Sequence, residues 1–336
     1  MDKYQTAWYT RGMPNLPVQL ALLLIPALGC CLAGTPQSVT RGDVESMYEQ
    51  ARAMLEDRSI QNVESVPLIL ETCVREQHPE ATRLMLDVLE GKYKGLEANA
   101  GQACRLAREL AEYDALDQVS LACRELRTEA MFRLALYLEK GNGCEANQQE
   151  ACFWMQQAAQ RGMPQAQVEL ARYLMLGKGT VADPRRAWHI LHQQARMNPR
   201  TPNLFFYMGY MCAHGVGMPK DMPKAFELFR MGARLSDTRC LNNLGSMYEK
   251  GVPTPRDPES AYKLYRMAAN LGNREASANM QRLAFKEGIR ASHLSSTPIR
   301  KRIDNATLHL IYALPVTEES RERLRSWLLK TEEPLP

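Results

Sequence analysis

The side chains whose types and spacing could do chemistry are few and scattered. His189 and His192 stand three apart in the stretch PRRAWHILHQQA. Two imidazoles at that spacing on one helix can share a metal ion. No third ligand follows at a motif spacing, so the pair reads as packed or solvated. His214 falls at the end of an apolar helical segment, where a cation suits the helix dipole. Seven cysteines follow Ala33: Cys73, Cys104, Cys123, Cys144, Cys152, Cys212 and Cys240. The odd number leaves at least one thiol unpaired. No C-x-x-C occurs, which argues against a dithiol redox enzyme. Cys144 and Cys152 flank one expected interhelix loop and are the better candidate bridge. Cys212 and Cys240 are out of register by eight positions on corresponding helices. That is roughly 12 Å along parallel axes, too far for a disulfide. No serine sits in a nucleophile elbow, and no glycine loop follows a strand-like segment to cradle phosphate. The sequence offers no cofactor site.

The elements that carry these residues repeat. Small residues mark a register at Ala135, Ala171, Gly209 and Gly245. Six positions on stand Gly141, Gly177, Gly215 and Gly251, and ten further Ala151, Ala187, Ala225 and Ala261. The steps are about 36, 38 and 36 residues, a period that signals a solenoid. Each copy has two apolar segments of helical length split by a glycine-containing turn. Leu134, Ala135 and Leu138 share one face, and Ala151, Trp154, Met155 and Ala158 share another. A single hairpin cannot bury its apolar face, so neighbouring copies must stack. The recurring G-x-G turns lie between helices and are therefore structural.

This pattern, L-G-x-x-Y-x-x-G-x-G-V, then D-x-x-K-A, then A-A-x-x-G, resembles the Sel-one-like repeat, a relative of the tetratricopeptide repeat. Gly209 to Val216 carry it, with Cys212 at the tyrosine position, and Asp221, Lys224 and Ala225 continue it. Gly245, Tyr248, Gly251, Asp257, Ala261, Ala268, Ala269 and Gly272 match it well. The second copy departs, with Leu174 for the tyrosine and Gln194 for an alanine. The resemblance implies an all-α, right-handed superhelical solenoid of helical hairpins. It implies a scaffold for partners and specifies no activity.

The remaining chain is read around residues 129–285, the four repeats. Residues 42–128 read as degenerate helical repeats, with an insertion around Asp114 to Glu125. Residues 1–33 read as an export signal: Lys3 and Arg11, then an apolar run of about eleven residues from Val18 to Leu28, too short to span a bilayer. Ala27-Leu28-Gly29-Cys30 resembles a bacterial lipobox, in which Cys30 would be acylated. Ordinary cleavage after Ala33 is the competing reading. Residues 292–336 read as a tail or cap, with Thr307 to Leu314 short and apolar and Glu318 to Lys330 an amphipathic helix. The net charge of +4 is mild and interspersed. It does not argue for nucleic acid, and the one basic knot, Arg300 to Arg302, reads as a solvated loop.

In repeats of this kind the first helices line the inner face. The positions three before and one after the small residue should point there. They are Phe132 and Leu136, Val168 and Arg172, Phe206 and Tyr210, and Asn242 and Ser246. Aromatic anchors such as Phe206 and Tyr210 suit a protein partner. The expectation is a non-enzymatic scaffold of the bacterial envelope, lipid-anchored at the periplasmic face of the outer membrane, or otherwise periplasmic or secreted. The periplasmic scaffold of the alginate secretion machine is a lipoprotein of similar repeats, so the resemblance implies an exopolysaccharide-type complex. The alternatives are a secreted cell-wall hydrolase, an activity assigned to some related cysteine-rich repeat proteins, and a host-interacting factor.

Overall fold

The structure is a computed structural model and describes residues 40–56 and 63–289. Cys30, the export signal, Arg300 to Arg302 and the tail from 292 lie outside the described residues. The described residues form fourteen α-helices and no strand. The helices α1 (Arg41–Glu56), α2 (Val66–Arg75), α3 (Pro79–Leu89) and α4 (Ala100–Glu112) come first. A one-turn helix α5 (Leu116–Val119) leads into the long α6 (Leu121–Lys140). Then follow α7 (Gln148–Gln160), α8 (Pro164–Leu176), α9 (Pro184–Met197) and α10 (Leu204–His214). The series ends with α11 (Met222–Arg234), α12 (Thr238–Lys250), α13 (Pro258–Asn270) and α14 (Arg274–Glu287). Each helix packs chiefly on its neighbours in sequence, as a right-handed superhelical solenoid requires. The insertion expected around Asp114 to Glu125 is α5 and the extra first turns of α6.

The second helices start with one device. Asn99, Asn147, Asp183, Asp221 and Asp257 each accept a hydrogen bond from the backbone N–H three residues on. This satisfies a donor that the helix cannot. The alanines after these caps, from Ala103 and Ala151 to Ala187, Ala225 and Ala261, are buried. The backbone N–H of each of the last four caps donates back to the preceding helix, on Leu138, Leu174, Cys212 and Tyr248. Asn99 does the same to Leu89, through a loop one residue longer. The hairpin of α3 and α4 is therefore built as the later repeats are.

The two glycines of each G-x-G do different work. Gly177, the first of its pair, caps α8 at φ 67°, a conformation that a Cβ disfavours. The second, Gly179, lies on the start of the preceding repeat's second helix. Gly143 does likewise against Ala100. In the last repeat Pro253 takes this place. Gly209 and Gly245 are the points where the two helices of a hairpin cross. A Cβ there would stand 2.6 Å from the Phe229 ring and 2.8 Å from the Tyr265 ring.

Candidate functional site

The first helices α6, α8, α10 and α12 hold every residue of the expected inner stripe. Phe132 and Leu136 on α6 are half-buried and lean on the core. Phe206 and Tyr210 on α10 and Ser246 on α12 are also half-buried. Two members of the stripe differ from expectation. Val168 is fully buried within the core, and Asn242 is 5% exposed. The Asn279 amide on α14 donates to the Asn242 side-chain carbonyl at 3.0 Å. The position three before the register residue points into the seam with neighbouring helices. A phenylalanine is long enough to emerge from that seam, whereas valine and asparagine end inside it.

The aromatic pair is framed on both sides. The Phe206 ring lies 5.3 Å from that of Tyr207, 6.3 Å from Tyr210 and 6.5 Å from Phe229. The Arg239 guanidinium, from α12, sits 4.0 Å over the Phe206 ring and 5.4 Å from that of Tyr207. Such a cation over an aromatic face is attractive. Tyr210 stacks on His214 at 4.1 Å. His214 also shares a hydrogen bond with the Tyr210 carbonyl at 3.0 Å, which ties it to its own helix end.

Arg172, the remaining stripe residue, is already engaged. Its guanidinium donates to both oxygens of Glu139, at 2.7 and 2.6 Å, and to Glu169 at 2.6 Å. Lys178 donates to Glu139 at 2.7 Å. Burial pushes the Glu139 carboxyl up, but hydrogen bonds from Arg172 and Lys178 outweigh it and hold it at about 2. Glu169 accepts from Asn203 at 2.7 Å and from the Tyr207 hydroxyl at 3.4 Å. Asn203 in turn accepts from Arg239. A polar chain thus runs from Glu139 in the first repeat to Arg239 in the fourth and ends over Phe206. Sequence reasoning missed it, although a signal exists. Arg172 follows Glu139 by 33 residues, and Arg282 follows Glu249 by the same 33, again with two hydrogen bonds, at 2.6 and 2.7 Å. Opposite charges at nearly one repeat period bridge successive first helices.

His189 is exposed, and His192 half-buried on α9. Among the described residues no group of three or more His, Cys, Asp or Glu is placed to hold a metal. None of the described helices is long and apolar enough to cross a membrane. The seven described cysteines are free thiols, and Cys144 and Cys152 are not joined.

The family model for the Sel1 repeat matches residues 128–163, 164–198, 206–237 and 238–273. These four segments are Sel1 repeats. Such repeats serve in general as non-catalytic scaffolds for protein–protein contacts. An uncharacterized protein of Neisseria meningitidis serogroup B is 33% identical over 84 residues, which span 25% of this chain and only 18% of that relative. The Sel1 repeat protein from Oxalobacter formigenes superposes with a TM-score of 0.56 at 22% identity, over 86% of this chain and 99% of that one. That likeness is one of fold. A protective antigen of uropathogenic Escherichia coli strains, described as displaying an SLR fold, gives a TM-score of 0.44 at 18% identity, over 75% of this chain and 59% of the other.

Proposed function

We propose that this protein is a non-enzymatic scaffold of the bacterial cell envelope whose Sel1 repeats hold a protein partner against the first-helix face of α10 and α12. The observation that carries the reading is the half-buried pair Phe206 and Tyr210 on one helix, with Arg239 over one ring and His214 against the other. Aromatic and arginine side chains gathered on one patch are the residue types that anchor protein interfaces. Ser246 on α12 and, two repeats away, Phe132 and Leu136 on α6 hold the corresponding half-buried positions, and Arg172 ties the first repeat to the second through Glu139. Val168 and Asn242 are not part of the patch.

Export and anchoring are read from the sequence before Thr35. Cys30 is the proposed acylation site, which would place the repeats at the periplasmic face of the outer membrane. An exopolysaccharide-type secretion complex is the proposed setting. Cys30→Ser should end fatty-acid labelling and release the protein from membranes. Unchanged labelling, or a mature chain starting at Gly34, overturns the anchor. For the groove, affinity capture from membrane extract with the parent protein should retain one partner that the Tyr210→Ala variant loses at unchanged melting temperature. Equal capture by both proteins overturns the groove.

A further inference from the structure

We propose that Cys104 and Cys144 close a reversible disulfide that staples the first Sel1 repeat to the helical hairpin before it. Cys104 lies on α4, buried in the core, and Cys144 lies half-buried in the loop between α6 and α7. The Cys144 side chain stands close enough to Cys104 to disfavour its thiolate, while the Cys144 thiol itself donates to the Asn142 carbonyl at 3.9 Å. The two residues belong to different hairpins, so a bond between them would cross the seam.

The contact is fixed by the backbone on both sides. Gly143 rests against the first turn of α4, where a Cβ would stand 2.0 Å from the Ala100 carbonyl oxygen. The Asn147 N–H donates to the Leu138 carbonyl at 2.9 Å. The loop is therefore held at residues flanking Cys144. Cys104 is one helical turn after Ala100, on the helix that this loop touches. The thiols are thus held next to each other before any bond forms. The Cys152 thiol on α7 is instead surrounded by core packing with Arg186 nearby.

The step needs an oxidant, and a small disulfide supplies it. The Cys144 thiolate attacks one sulfur of that disulfide and releases one small thiolate. The Cys104 thiolate then attacks the Cys144 sulfur of the mixed disulfide and releases the second. The protein loses two protons and two electrons, and the reagent becomes two thiols. Burial, together with the neighbouring Cys144 thiol, pushes the Cys104 thiol up to about 12. Cys144, the more accessible sulfur, therefore makes the first attack, and closure quickens as pH rises.

The full chain is incubated with oxidised glutathione under native conditions, alkylated and digested. The expected product is a peptide pair linked through Cys104 and Cys144. The melting midpoint should rise by about 5 °C, and dithiothreitol should reverse both changes. Cys144→Ser and Cys104→Ser should each abolish the linked pair and the shift, while Cys152→Ser keeps them. Cys144→Ser changes a half-buried loop residue, so it decides the matter if the buried Cys104→Ser fails to fold. A Cys144–Cys152 linkage overturns the inference. So does glutathione that stays attached to Cys144, or recovery of both thiols unoxidised. The experiment is independent of where the protein resides.

Discussion

The backbone of Gly179 lies against the carbonyl of Gln148 so closely that a Cβ would stand 1.9 Å from its oxygen. The loop of the second repeat therefore rests on the first turn of α7. Neither partner is a side chain that can swing away. Gly179→Ala should force the two repeats apart and cost about 2 kcal/mol or more, through contact and through its positive φ of 63°. Gly162→Ala is the control, because its φ is 85° and nothing lies within 4 Å of its Cβ position. It should cost only the backbone strain, about 1 kcal/mol. Urea melts of both variants check this. Equal losses would show that the contact contributes nothing.

The Glu139 carboxylate links the first repeat to the second through Arg172 and Lys178. Its folded value of about 2 lies below the ordinary 4.5 of a glutamate. A group whose value is depressed on folding stabilises the fold above its unfolded value and loses that contribution as pH falls toward the folded one. The contribution should be whole above pH 4.5 and fade between there and about pH 2. Glu139→Gln should destabilise the protein at pH 7 by on the order of 2 kcal/mol. The gap between variant and parent should narrow steadily below pH 4.5. Denaturation series across that range check it, and a gap that does not change with pH would assign the loss to packing.

Asp257 opens α13 by accepting from the Ser260 N–H at 3.0 Å, while the Ser260 hydroxyl donates to its other oxygen at 2.5 Å. Asp257→Ala leaves both donors without this partner at the start of a helix. The expected cost is about 1 kcal/mol, and Asp257→Asn should recover most of it. Thermal melts of the pair distinguish a cap from a purely electrostatic effect. If the asparagine variant melts as low as the alanine one, the charge rather than the cap was at work.

Much of the fold was legible because its determinants are local. Ala135, Ala171, Gly209 and Gly245 recur for steric reasons, and all four stand at buried positions on first helices. Within the stretch read as degenerate helical repeats, helices stand at Pro79–Leu89 and Ala100–Glu112. Proline or a capping asparagine sets where each begins. The face of the stripe was less legible. Periodicity says which way a position points, but not whether the side chain there is long enough to leave the seam, and this separates Phe206 from Val168 and Asn242. The cover of Arg239 over Phe206 joins different repeats, so no single helix pattern contains it. The same holds for Cys104 and Cys144, whose contact depends on how the loop of one repeat rests on the helix of another.

Phe206 and Tyr210 are four residues apart on α10, yet the structure gives them unequal roles. Phe206 lies between Arg239 and the ring of Phe229 and leans on the core. Tyr210 stacks on His214 and meets the Phe206 ring at 6.3 Å, both on its own helix. Phe206→Ala should therefore cost stability, about 1–3 kcal/mol, through lost packing and the lost cation contact. Tyr210→Ala should leave the melting temperature nearly unchanged, because its ring partners belong to the same helix and these contacts add nothing between repeats. If the proposed groove is used, the ranking reverses for partner affinity at equal folded fraction. Tyr210→Ala should weaken binding by about 2 kcal/mol, roughly thirtyfold in Kd. Arg239→Lys keeps the charge but loses the flat guanidinium over Phe206, so it should share the stability loss of Phe206→Ala in part. Melting curves and titration of the captured partner, measured on the same preparations, read the two effects separately. A Tyr210→Ala protein that melts early and binds as tightly as the parent would make that ring a structural residue and leave the patch without its anchor.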